Sequence, residues 1–95
     1  MTAQQIYNEI LAYTGPTGIA NWYVGITSDI EERLFGYHNV HRTDGAWYHA
    51  QALDHTHSRA VESSLLELGF DGGVGGGDHT ATYVYAFRKD FGTVR

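Results

Sequence analysis

The chain has 95 residues, a formal charge of −5 and no cysteine. That length supports one domain with one modest core. The missing thiols exclude disulfides and thiolate metal sites, and the acidic balance argues against broad electrostatic attraction to nucleic acid, where cations must displace counterions. No apolar run approaches a membrane span, and Met1-Thr2-Ala3-Gln4-Gln5 carries no basic start followed by an apolar stretch, so the expectation is a cytoplasmic protein without a membrane partner.

The opening residues predict a helix: Thr2 and Gln5 can cap each other, and Ile6, Tyr7, Ile10 and Leu11 recur at helical spacing up to Gly15-Pro16. Trp22, Val24 and Ile26 then alternate with Tyr23, Gly25 and Thr27, a strand pattern that Gly25 weakens unless something approaches closely there. Ser28 followed by Glu31 reads as a capping box, so a helix is expected from Asp29. On it Ile30, Leu34 and Tyr37 share the inward side, Glu32 and Gly36 point away, and Arg33 borders the apolar stripe. Arg33 is either a solvated cation with its stem on the core or a planar fork suited to phosphate.

A second strand is expected over Ala46 to Leu53, and a helix over Ser58 to Leu68 with Val61, Leu65 and Leu68 inward. Glu62 lies on the flank of that stripe and Glu67 on the far side. A half-buried carboxylate needs a partner: a salt bridge to Arg59 or Arg33, or a divalent metal. Gly72 to Gly77 connects this helix to a final strand, Thr80 to Arg88, which carries Tyr83 and Tyr85 on one face. The glycine run follows a helix and lacks the Walker lysine, so it is not a nucleotide fingerprint. It is a connecting loop, a subunit contact, or a loop whose Gly75 and Gly76 amides approach a phosphate. The pairs His55/His57 and His38/His41 lack the closed ligand set of structural zinc; His38 and His41 either carry protons in the Arg33 cleft or sit in a solvated loop.

At Tyr23-Val24-Gly25, with Arg33 ten residues after the tyrosine, the chain resembles the GIY-YIG nuclease superfamily, whose second motif has that strand and spacing. The tract Trp47 to Leu53 and then Ser58 to Leu66 looks like the family's third strand and glutamate-bearing helix, so the resemblance runs from Trp22 to about Gly69. The family's first Gly-Ile-Tyr strand has no equivalent: Gly18-Ile19-Ala20 lacks the tyrosine and lies too close to Tyr23. The C-terminal strand is inferred to occupy the vacated sheet position, making the domain a permuted relative in which Tyr83 or Tyr85 replaces the missing tyrosine.

The resulting expectation is one α+β domain over residues 1–95, a small three-stranded, mainly antiparallel sheet flanked by about three helices. The resemblance implies hydrolysis of a nucleic-acid phosphodiester, DNA before RNA, with Glu62 holding one Mg²⁺ or Mn²⁺. Arg33 stabilises developing charge, and Tyr23 with Tyr85 or Tyr83 orients or deprotonates water. His38 is an alternative base; Tyr37 falls where the family often has a histidine or tyrosine. Arg42, Gly75 and Gly76 are the expected substrate contacts. The alternative is a catalytically inactive module of this fold that binds a nucleotide or a protein. Oligomeric state stays open.

Overall fold

A computed structural model describes residues 1–15, 18–73, 79–90 and 92–95. Helix α1 spans Ala3–Thr14, and its start is the expected reciprocal cap: the Thr2 hydroxyl accepts from the Gln5 amide while the Gln5 side chain accepts from the Thr2 amide. Strand β1 covers Trp22–Thr27, β2 Trp47–Gln51, helix α2 His55–Leu68, and β3 Tyr83–Arg88. A seven-residue π-helix, Glu31–Tyr37, joins β1 to the loop before β2. No helix among the described residues is long and apolar enough to cross a membrane.

The sheet has the order β1-β3-β2 and is antiparallel throughout. The C-terminal strand is therefore central and lies directly beside the Tyr23 strand. Its register sets Gly25 opposite Tyr85, Tyr23 opposite Phe87, and Trp47 opposite Phe87 from the other side. The residues around Asp71 extend the outer edge of β1, with the Val24 amide donating to the Asp71 carbonyl at 2.9 Å and the Asp71 amide to Trp22 at 3.0 Å.

Strand alternation splits the apolar residues between two cores. On one face Trp22, Val24, Ile26, Ala50, Val84 and Ala86 pack against Ile6 and Ile10 of α1 and Val61 and Leu65 of α2. On the other, Tyr85 and Phe87 pack with Leu34 and Val40, flanked by Tyr23, Ile30, Phe35 and Trp47. The α1/α2 pair and the π-helix thus form the outer layers around the sheet.

Three local expectations need correction. The Ser28/Glu31 capping box does not form: the Asp29 carboxylate takes the Glu32 amide at 3.2 Å, its own amide donates to Thr27 Oγ1, and Glu31 pairs with Arg42. The helix is π rather than α, closing with the His38 amide on the Arg33 carbonyl five residues back. That wider turn changes the phase of the inward face, so Ile30, Leu34 and His38 point in and Tyr37 points out. Finally, α2 starts three residues early because the Asp54 carboxylate caps the His57 amide at 2.9 Å. His55 and His57 then lie two apart on a helix and face different directions: His57 bonds Asp54, and His55 lies against Arg59.

Candidate active site

Tyr23, Gly25, Ile26, Arg33, Glu62, Gly73 and Tyr85 line one cavity of about 140 Å³. Four of the predicted residues, Tyr23 from β1, Arg33 from the π-helix, Glu62 from α2 and Tyr85 from β3, converge there from four elements. The register explains the centre of the site. Tyr85 crosses over Gly25, so a Cβ at that position would collide with the phenol ring and hydroxyl. This is the close approach that a glycine inside a strand signals.

Glu62 is only 3 % exposed, and its nearest cation is Arg59, with Nη1 3.6 Å from Oε1. Burial raises its pKa above the ordinary carboxylate range, and Arg59 opposes that rise. Arg33 is exposed, with its guanidinium 5.0 Å from the centre of the Tyr37 ring. Among the described residues it is the one arginine without a carboxylate at salt-bridge distance; the others pair with Glu31, Glu62, Asp90 or Asp71. A guanidinium at a cavity wall, not neutralised by a carboxylate, is free to take an anion.

Behind the cavity, Tyr85 joins a buried chain of hydrogen bonds. Its hydroxyl lies 2.8 Å from His38 Nε2, and His38 Nδ1 lies 2.6 Å from the Val94 carbonyl. A carbonyl only accepts, so Nδ1 carries the proton; in the neutral ring Nε2 must then accept from Tyr85. His38 is 1 % exposed, and burial lowers its pKa, favouring that neutral form. Burial also raises the pKa of Tyr85 and, less strongly, of Tyr23. Tyr23 stacks on Phe87 at 5.2 Å and leans on His38 at 4.8 Å between ring centres.

The remaining predicted residues lie elsewhere. Tyr37 is 55 % exposed, outside the cavity lining, with its ring edge-on to His38 at 4.9 Å. Arg42 pairs with Glu31 and lies 3.9 Å over the Phe35 ring. It lines a larger cavity of about 480 Å³ together with His41, Asp44, Arg88 and Asp90, in which both arginines are already ion-paired. Gly75 and Gly76 lie outside the described residues. His41 is exposed beside Asp44. The described residues contain no cluster of three or more histidines and carboxylates able to hold a metal.

Sequence reasoning did not identify Val94, whose carbonyl fixes the His38 ring, or Asp71, which ties the sheet edge to Lys89 and Arg95. The Val94 contribution is from the main chain and spans 56 residues, so no side-chain pattern signals it. No family model, curated protein or solved structure matches the chain.

Proposed function

We propose that this domain is a GIY-YIG-like endonuclease that hydrolyses a nucleic-acid phosphodiester with one divalent ion. The observation that carries the reading is the convergence of Tyr23, Arg33, Glu62 and Tyr85 on a single cavity. Arg33 binds a non-bridging phosphate oxygen and stabilises the charge that grows there as the water oxygen bonds phosphorus and the leaving oxygen departs. Tyr85 accepts the water proton while giving its own to His38 Nε2, so no free phenolate is needed despite a raised pKa. Tyr23 orients the water from the adjacent strand. The Val94 carbonyl holds His38 in the tautomer that can receive the proton.

The residues fit one hard cation. Mg²⁺ commonly uses one or two carboxylates, with waters and phosphate oxygens completing its shell, and Glu62 is a cavity-lining carboxylate with a single cation against it. An ion held by Glu62 would add positive charge to the cavity that Arg33 also lines. The competing reading, a binding module without catalysis, draws its support from the Arg59 contact, which already compensates Glu62.

Labelled DNA and RNA incubated with Mg²⁺ or Mn²⁺ decide between them. Cleavage is expected, with Arg33→Ala lowering kcat at least about a hundredfold, far more than it weakens binding, as for a group whose main work is in the transition state. Glu62→Gln should abolish divalent-dependent cleavage and calorimetric Mg²⁺ binding together. Binding without cleavage of any substrate with either metal selects the inactive module.

A further inference from the structure

The catalytic cavity is too small for what the reaction would bring to it. At about 140 Å³ it admits a phosphoryl group, whereas sites that enclose whole small ligands occupy roughly 300–1,000 Å³. The nucleoside attached to that phosphate must rest outside, on whatever lies beside Arg33. That neighbour is Tyr37, more than half exposed and turned out by the π-helix. Its ring is held on two sides: His38 meets it edge-on, with an interplanar angle of 85°, and the Arg33 guanidinium lies over it at 5.0 Å.

We propose that Tyr37 is a stacking platform for an unpaired nucleobase next to the scissile phosphate, making single-stranded nucleic acid the preferred ligand. The proposal rests on the preceding reading only in taking Arg33 as the phosphate contact. When Arg33 turns to the phosphate, it vacates the face of a ring that His38 keeps in place, and a base takes over that face. A tyrosine loses little side-chain entropy in such a role, having only two torsions. A base in duplex is already stacked and paired, so it cannot supply that face without unpairing.

The charge distribution points the same way. Duplex binding depends on many cations displacing counterions, whereas this chain carries −5 overall, and among its described arginines only Arg33 lacks a carboxylate partner. Stacking is the part of single-strand affinity that does not need a basic groove.

Fluorescence anisotropy with oligothymidylate, oligouridylate and their complementary duplexes, without divalent metal, tests the proposal and separates DNA from RNA. Single strands should bind at least about tenfold more tightly than duplexes. Tyr37→Phe should retain that preference, and Tyr37→Ala should weaken single-strand binding about 5- to 150-fold, the range for one lost stack. Equal affinity for duplex, or unchanged binding by Tyr37→Ala, overturns it. Tyr37-dependent strand binding with no cleavage leaves this inference standing and removes the nuclease; duplex cleavage indifferent to Tyr37→Ala does the reverse. Absence of binding to any strand overturns this inference, and the nuclease reading is then decided by the cleavage assay with Mg²⁺ or Mn²⁺.

Discussion

Gly25→Ala is expected to damage both the fold and the site, because its new methyl would occupy the space of the Tyr85 ring. The colliding atoms belong to a nearly buried side chain on the central strand, so relief requires moving Tyr85 rather than a flexible surface group. Overpacking of that kind costs about 1–3 kcal/mol. If the phenol is driven from His38, a buried Nε2 acceptor loses its partner, which adds about 1–3 kcal/mol. The combined loss, roughly 2–6 kcal/mol, is a large share of the ~5–15 kcal/mol that stabilises a domain. Urea denaturation followed by fluorescence and circular dichroism measures it, and repeating the substitution on Tyr85→Val tests the cause. With the ring gone, Gly25→Ala should become at least about 1 kcal/mol less costly, a coupling expected of side chains in contact. An equal cost in both backgrounds, or a cost under about 0.5 kcal/mol in the parent, would refute the assignment of Gly25 as the space for Tyr85.

Two further predictions concern pH. His38 has a folded pKa below its ordinary 6.5, so the unfolded chain binds more protons below that value; stability from this group is present above pH 6.5 and lost as pH falls, and His38→Gln should flatten the acid limb of an unfolding titration. Glu62 has the opposite sign, its folded pKa lying above the ordinary 4.5, so its contribution weakens as pH rises from 4.5 through the shifted value. Glu62→Gln should remove that decline and leave the protein at least as stable near neutrality; a destabilised variant would mean that the Arg59 contact outweighs desolvation.

The strands were legible because β-branched and aromatic residues alternate in Trp22–Thr27 and Tyr83–Arg88. The α1 cap was legible for a local reason: both partners sit within one turn. The π-helix was not. Its Leu34 and Ile30 fit either helical period, and the difference appears only at the far end, where an α-helix would turn Tyr37 inward and the π-helix buries His38. Likewise Ser28 and Asp29 both qualify as caps by type, and the choice fell to Asp29 once Thr27 had fixed its amide.

The site divides along the same line. Tyr23, Arg33, Glu62 and Tyr85 were singled out one by one for their chemistry, whereas their grouping around one cavity depends on register and on main-chain contacts far apart in sequence. Gly25 announces that something comes close, but only the antiparallel pairing of β1 with β3 says that it is Tyr85 rather than Tyr83. That choice has a chemical consequence, since Tyr85 reaches His38 and Tyr83 pairs across from Thr27 at the strand end. A slip of two residues would preserve the faces of the sheet yet separate the phenol from the imidazole. The glycine therefore does more than permit a crowded strand: by excluding a side chain opposite Tyr85, it leaves room for the register that connects the cavity to its buried histidine.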